Sequence, residues 1–155
     1  MDRICTMITE GSIVSDCKVT GKHDLLALIS DTAARQYMLD ADLVCEGLDE
    51  REKLGSTGFG GGSAIPHCKY SGLDAPVGVF IRLAKGLDYG AVDGNDVDLV
   101  FALISPADDG AAHLRALAEV SRMLRDPDSC AQLRGASDAA AMYALLTSIH
   151  ERYAA

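Results

Sequence analysis

The chain of 155 residues is 48% hydrophobic and 24% charged, which is typical of a globular protein long enough to form a hydrophobic core. Its 14 basic and 23 acidic residues give a net charge of −9, which argues against nucleic acid as the main partner because few cations are available to neutralise phosphates. The longest apolar run, residues 99–104, is far shorter than the roughly 20 residues of a membrane helix. Residues 1–14 contain no apolar segment of a signal peptide. We therefore expect one soluble domain over residues 1–155, located in the cytoplasm and without membrane insertion.

The first part of the chain predicts one strand followed by two helices. Residues 13–19 alternate loosely between apolar and polar types, as a half-buried strand does, and residues 25–36 repeat apolar side chains at helical spacing. Asp40 is a suitable N-cap for the second helix. The inward face of this second helix is predicted to carry Leu43, Val44, Gly47 and Leu48.

The same helical face extends to Arg51, whereas Glu50, Glu52 and Lys53 are predicted to point away from it. A guanidinium on an apolar face costs free energy unless it meets an anion or several acceptors. Arg51 is therefore either part of a structural ion pair or a ligand for an anion. Its position directly before a glycine-rich segment favours the second interpretation.

The glycine-rich segment contains Ser56 and Thr57 and leads, through a short apolar stretch, to His67. Glycines allow positive φ angles and a close approach of the backbone, and successive free N–H groups in such a turn can bind an anion. A histidine with a pKa of roughly 6.5 offers a neutral, nucleophilic nitrogen near pH 7. This combination indicates phosphoryl chemistry, while an inert, hydrogen-bonded histidine at a strand end is the structural alternative. The five glycines are Gly55, Gly58, Gly60, Gly61 and Gly62.

Other kinds of site fit this segment poorly. It lacks the Gly-Lys-Ser/Thr ending of a P-loop, and Ser63 stands at the third glycine of a dinucleotide fingerprint. The five cysteines are scattered without a C-x-x-C pair, so no metal site is predicted. Cys68 adjoins His67, but neighbours in a strand point to opposite faces, which favours a buried thiol over a Cys–His hydrolase.

The remaining chain predicts two long strands and three helices. Residues 76–83 and 97–104 are apolar at nearly every position, as strands covered on both sides are. Asp109 can cap the next helix, whose buried stripe is predicted to contain Leu114, Leu117, Ala118, Ser121 and Leu124. Pro127 can start a short helix, and Ser137 can cap the last one. The element order suits an α+β protein, a three-layer α/β/α sandwich with a mixed central sheet.

His113 lies in the first turns of the helix that follows Asp109. The positive end of a helix disfavours a protonated imidazole, so His113 can stay neutral and donate a hydrogen bond to a phosphoryl oxygen. The alternative is a solvent-facing residue. His23 and His150 are predicted to lie on helix surfaces.

The string G-S-T-G-F-G-G-G-S-A-I-P-H resembles the phosphorylation-site signature of the mannitol/fructose-type enzyme IIA domains of the bacterial sugar phosphotransferase system. The segment P-A-D-D-G-A-A-H-L-R-A-L resembles the nitrogen-regulatory branch of that family, IIA-Ntr. The resemblance covers nearly the whole chain and weakens over the first dozen residues. Phe59 and Ser63 depart from the aliphatic residues that the family usually carries, and Gly61 stands where it often has asparagine.

This resemblance implies a phosphotransferase with His67 as the residue phosphorylated on its tele nitrogen and His113 as its assistant. Arg51 is implied to border the phosphohistidine. The resemblance further implies that the phosphate is bound by Arg51, Ser56, Thr57, Gly58 and Gly60, without a metal or cofactor.

The implied donor is a histidine phosphocarrier of the HPr or NPr type, with potassium-transport regulators or sensor kinases as partners known for the family. A regulatory carrier is thus the leading interpretation. A sugar-specific enzyme IIA that passes the phosphoryl group to a IIB domain and a non-enzymatic anion sensor are the alternatives.

Overall fold

The computed structural model describes residues 4–154, with side chains up to residue 148. Two short elements precede the first predicted strand, helix α1 (Ile4–Met7) and a 3₁₀ turn (Glu10–Ser12), and neither was predicted. The strands are β1 (Ile13–Cys17), β2 (Gly58–Gly60), β3 (Ser63–Ala64), β4 (His67–Tyr70), β5 (Val77–Leu87) and β6 (Val97–Pro106). The longer helices are α2 (Lys22–Tyr37), α3 (Ala41–Lys53), α4 (Gly110–Arg125), α5 (Pro127–Gly135) and α6 (Ala139–Ala154).

These strands form the predicted mixed sheet. Its order is β1-β5-β6-β3-β2, with β4 also paired to β6. Strands β5 and β6 are antiparallel, whereas β1 runs parallel to β5, and both β3 and β4 run parallel to β6. Because β3 and β4 follow each other along one edge of β6, the chain passes directly from the glycine-rich segment to the strand that begins with His67.

Strand β6 divides the hydrophobic core into two layers. Leu99, Phe101 and Leu103 pack in the layer that contains residues of α1, α4, α5 and α6. Val100 and the next alternate residues of the strand pack in the layer of α2 and α3. Because consecutive side chains of a strand point to opposite faces, a strand this apolar must be covered on both sides. The expected α/β/α sandwich is confirmed.

The predicted helix faces were partly wrong. Leu114 is 67% exposed and Leu43 is 55% exposed, although both were assigned to buried stripes. Helix α4 instead packs through small residues such as Ala112 and Ala116, which allow it to lie close to the sheet. Ala118 is likewise exposed, and Asp138 rather than Ser137 accepts the amide of Ala141 at the start of α6.

Arg82 ties helix α5 to the sheet. Its buried guanidinium donates to the carboxylate of Asp16 over 3.1 and 2.9 Å. A third nitrogen, Nη1, donates to the carbonyl oxygens of Leu133, Arg134 and Ala136 at the end of α5. Helix ends leave such carbonyls without intrahelical partners, and the negative end of the helix dipole favours a cation there.

Replacing Arg82 with lysine should lower the free energy of unfolding by about 2 kcal/mol, because an ammonium cannot reach the carboxylate and the carbonyls together and leaves buried acceptors unsatisfied. Urea denaturation measures this loss. Arg35→Lys, on the exposed surface of α2, is the control and should change stability by less than about 0.5 kcal/mol. Equal stabilities of the two variants would contradict the assigned role of Arg82.

Candidate functional site

The glycine-rich segment folds into a small hairpin that positions His67. Strands β2 and β3 pair antiparallel, and Gly61 and Gly62 turn the chain with φ angles of 68° and 81°. A side chain on Gly62 would also come within 2.5 Å of the guanidinium of Arg134. Strand β4 then starts at His67, opposite Leu103 of β6, so the imidazole is attached to the rigid sheet edge.

Three amides of this segment already have acceptors, whereas the sequence predicted free amides that could bind an anion. The Thr57 amide donates to the carboxylate of Glu52, the Gly58 amide to Ser56 Oγ, and the Gly61 amide to Asp93. Side-chain acceptors satisfy these three amides, although the sequence alone showed no partners for them. Phosphate binding by Ser56, Thr57, Gly58 and Gly60 stays a prediction.

His67 is held at both ring nitrogens. Its Nδ1 lies 2.7 Å from the carbonyl oxygen of Ile65, and its Nε2 lies 3.2 Å from Nε of Arg51. A carbonyl only accepts and a guanidinium only donates, so Nδ1 carries the proton and Nε2 carries the lone pair. The half-buried His67 is thus a neutral imidazole with Nε2 as the nucleophilic atom.

Arg51 reaches His67 because α3 packs closely on β4. Gly47 of α3 lies against Cys68, where an added Cβ would approach the Cβ of Cys68 to 3.0 Å. Arg51, one turn further along the helix, also donates from Nη1 to the carbonyl oxygen of Gly55 over 2.9 Å. The predicted inward orientation of Arg51 is confirmed, and its contact is a histidine rather than a carboxylate.

His113 lies beside His67, as the sequence suggested. It is 8% exposed, and the two imidazole centroids are 5.4 Å apart. Its Nδ1 lies 2.7 Å from Oγ of the fully buried Ser105, a contact that sequence reasoning missed. Both histidines border a cavity of about 530 Å³. Its lining residues are Gly47, Glu50, Arg51, Leu54, His67, Cys68, Lys69 and His113.

Both imidazoles are held in the neutral form. Burial lowers the pKa of His67, and the charge of Arg51 lowers it further, against the opposing effects of the Ile65 carbonyl and the Glu52 carboxylate. Burial also lowers the pKa of His113, as do the charge that His67 carries when it is protonated and the charge of Lys69. Near pH 7 the site therefore offers a nucleophile that needs no separate base.

Glu52 faces inward, which corrects its predicted orientation. Its carboxylate, only 5% exposed, accepts from the Thr57 hydroxyl, from the Tyr89 hydroxyl at 2.7 Å and from Lys22 at 2.9 Å. The predicted orientation of Glu52 was wrong because Tyr89 and the glycine-rich segment cover the last turn of α3. Burial favours the neutral acid, but hydrogen bonds from Thr57, Tyr89 and Lys22 hold the pKa of Glu52 below its usual value. Glu52 thus anchors the start of the hairpin, beside Arg51.

Other candidate groups do not join the site. Cys68 is buried, and burial raises the pKa of its thiol to about 12, which argues against a Cys–His hydrolase. His23 is exposed on α2, and the side chain of His150 lies outside the described residues. Within the described part of the chain, no three His, Cys, Asp or Glu residues cluster as metal ligands. None of the described helices is long and apolar enough to cross a membrane.

Comparison with known proteins finds a matching family and relatives of similar sequence. Residues 6–149 match the family described as "Phosphoenolpyruvate-dependent sugar phosphotransferase system, EIIA 2". The nitrogen regulatory protein of Bradyrhizobium diazoefficiens is 41% identical over 143 residues, which are 92% of this chain and 94% of the relative. The nitrogen regulatory protein of Pseudomonas aeruginosa is 37% identical over 150 residues, 96% of this chain and 97% of the relative.

Solved structures agree with this assignment. The nitrogen regulatory protein IIA-Ntr from Neisseria meningitidis superposes with a TM-score of 0.87 at 33% identity, covering 93% of this chain and 99% of that one. The mannitol IIA of Escherichia coli, at 18% identity and a TM-score of 0.73, shows the same fold over 89% of this chain and 97% of its own. This chain therefore belongs to the type-2 EIIA family of the phosphoenolpyruvate-dependent sugar phosphotransferase system.

Proposed function

We propose that the protein is a phosphoryl carrier that accepts a phosphoryl group on Nε2 of His67 from the phosphohistidine of an HPr- or NPr-like protein. The observation that carries this proposal is the fixed tautomer of His67. The Ile65 carbonyl keeps the proton on Nδ1, and Arg51 aligns the lone pair of Nε2. A neutral nitrogen with a directed lone pair is the nucleophile that this transfer requires.

In the proposed step, Nε2 of His67 attacks the phosphorus in line with the bond to the donor's histidine. The new N–P bond forms as the old one breaks, and the bonding electrons of the old bond return to the donor nitrogen. The His67 ring then carries the phosphoryl group on Nε2 and its original proton on Nδ1. The Ile65 carbonyl, 2.7 Å from Nδ1, stabilises the resulting positive charge on the ring.

Arg51 and His113 supply the electrostatic stabilisation. As Nε2 approaches phosphorus, the Nε–H of Arg51 releases the lone pair of Nε2 and can donate to a phosphoryl oxygen instead. His113 can donate to another oxygen through Nε2–H when its Nδ1 accepts a hydrogen bond from the hydroxyl group of Ser105. Donors that already lie beside the nucleophile stabilise a loose, charge-rich transition state.

The surroundings of His67 fit a protein donor. Leu54, Leu114 and Val92 are 84%, 67% and 81% exposed. Leu54 borders the cavity of His113, Val92 borders a second cavity at His67, and Leu114 follows His113 in the chain. Exposed apolar residues grouped around a nucleophile are typical of a protein interface.

A regulatory role is favoured over sugar transport by the relatives named nitrogen regulatory proteins, at 41% and 37% identity over most of the chain. The phosphorylation state would then change the charge at the interface and so the choice of partner.

Incubation with phosphoenolpyruvate and the upstream carriers should yield one acid-labile phosphoryl group. Efficient onward transfer to a fructose or mannitol IIB domain would favour the sugar-specific alternative.

Variants of the two histidines should separate their roles. His67→Gln should take up no phosphoryl group, because no other nitrogen occupies the position of attack. His113→Gln should still be phosphorylated, since glutamine can offer one N–H, but transfer should slow by about 10- to 1,000-fold when the positioned donor is lost. Rapid-quench assays with the donor protein measure both effects.

His23→Gln, which removes an exposed histidine of α2, is the control and should transfer at the wild-type rate. Phosphorylation of His67→Gln together with an inert His113→Gln would reverse the assignment of nucleophile and assistant.

The lowered pKa of His67 predicts its titration in the unphosphorylated protein. The imidazole should gain a proton only below pH 6.5, because burial and Arg51 disfavour the cation. In Arg51→Met the transition should move to higher pH, since one of the lowering charges is gone. Long-range ¹H–¹⁵N NMR measures the pKa and also reports whether Nδ1 or Nε2 carries the proton. A His67 that titrates above pH 6.5, or with the proton on Nε2, would contradict the proposed nucleophile.

A further inference from the structure

A second cavity, of about 230 Å³, opens beside His67 and differs from the first in its charge. It contains two arginines, Arg51 and Arg125, and three hydroxyl groups, but none of its lining residues is Asp or Glu. In a chain of net charge −9, a cavity with this lining is suited to an anion. Its lining residues are Arg51, Ser56, Thr57, Phe59, Ile65, His67, Val92, Leu117, Ser121 and Arg125.

Arg125 is held in place at the end of α4. Its Nε donates to Oγ of Ser121 over 2.8 Å, and its Cζ lies 4.8 Å from the ring centroid of Phe59. An arginine stacked on an aromatic face keeps the edge of its guanidinium available for further hydrogen bonds. Among the described residues, neither Nη atom of Arg125 has a hydrogen-bond acceptor.

Arg125 also differs from other arginines of the protein. Arg82 is paired with Asp16, Arg122 with Glu119 and Arg134 with Asp98. In the part of the chain that the structure describes, neither Arg51 nor Arg125 has a carboxylate partner. The two arginines that line the cavity at His67 are thus both available to an anion.

The nearest cavity on the other side of Arg125 contains a carboxylate, but this carboxylate is not paired with Arg125. Arg125 and Phe59 also border a third cavity, which contains Asp93. The Asp93 carboxylate accepts from the amide of Gly61 and from the side chain of Asn95, each at 3.0 Å. The Asp93 carboxylate thus has hydrogen-bond donors other than Arg125.

We propose that Arg125 binds an oxygen of the phosphoryl group carried by His67, as a second arginine beside Arg51. The proposal rests on the proposed function and identifies a further ligand at the same site. The Nη–H groups of Arg125 donate to the phosphoryl oxygen, and no covalent bond changes. Phe59 and Ser121 are positioning residues, because the ring of Phe59 and the hydroxyl of Ser121 hold the guanidinium of Arg125.

Arg125→Gln tests this contact. The loss of a charge-assisted hydrogen bond should reduce the equilibrium ratio of phosphorylated to free protein against a fixed donor by about 3- to 10-fold. Arg122→Gln, which removes a positive charge from the same helix outside the cavity, is the matched control and should keep the wild-type ratio. Arg125→Lys retains the charge without the planar fork and should give an intermediate value.

A second measurement separates contact with the phosphoryl group from recognition of the donor. The proteins are phosphorylated with phosphoramidate, and the phosphoryl resonance is followed by ³¹P NMR against pH with no donor protein present. The other charged or titratable groups at the site, which the Arg125 variants leave unchanged, are Glu50, Arg51, Glu52, Lys69 and His113. Removing its charge should raise the apparent pKa of the phosphoryl group in Arg125→Gln, while Arg122→Gln should match the wild type.

Phe59→Leu keeps the arginine but removes the stacked ring, so it should shift the equilibrium ratio in the same direction by about 2- to 5-fold. A raised Michaelis constant for the donor with an unchanged ³¹P titration would overturn the proposal and assign Arg125 to donor recognition. Identical behaviour of Arg125→Gln and Arg122→Gln would also overturn it. An absence of phosphorylation in the wild-type protein would instead refute the proposed function.

Discussion

The site depends on the way the His67 imidazole is held at both nitrogens. A carbonyl oxygen 2.7 Å from Nδ1 and a guanidinium nitrogen 3.2 Å from Nε2 leave one tautomer that satisfies both. Either contact alone would fix the proton less firmly, because a histidine can exchange tautomers when one nitrogen faces water. The rest of the fold serves to bring these two groups to the same ring from opposite sides.

Each side of this arrangement has a structural origin. The Ile65 carbonyl belongs to the connection between β3 and β4, which lies along β6 and is fixed by backbone hydrogen bonds from Ile65 to Thr57 and from Leu103 to Pro66. Arg51 belongs to α3, which approaches β4 closely because Gly47 has no side chain. Glu52, the next residue, binds Lys22, Thr57 and Tyr89 and so joins the end of α3 to the hairpin and to α2. Movement of any of these elements would alter the contact between Arg51 and His67.

The sequence allowed the fold to be predicted and three residues that lie together in the candidate site to be singled out, for reasons that differ among them. The two long strands were recognisable because apolar residues occupy both faces, and the start of α3 was recognisable from Asp40, which accepts the amides of Asp42 and Leu43 as an N-cap does. His67, Arg51 and His113 stand at positions that a family signature marks. Ser105 carries no such signal, because a serine at the end of a buried strand is common in many proteins.

The errors in the helices share one physical cause, which is that helical periodicity gives the spacing of a face but not its direction. Leu114 was assigned to the buried stripe of its helix, yet Ala116 is fully buried and Leu114 is 67% exposed. Glu52 was placed outward because the face that carries Arg51 was extended by helical spacing, yet the side chain of Glu52 is buried, and Lys22 and two hydroxyl groups compensate its burial. The amides of the glycine-rich segment are a separate case, because sequence alone does not show which side chains reach them, as Asp93 reaches Gly61.

The most direct test of the central claim is a long-range ¹H–¹⁵N NMR spectrum of histidine-labelled protein that has been phosphorylated by phosphoenolpyruvate and the upstream carriers. The account predicts that His67 alone is modified, with phosphorus bonded to Nε2 and the proton still on Nδ1. A phosphoryl group on Nδ1 of His67, or on His113, would contradict it.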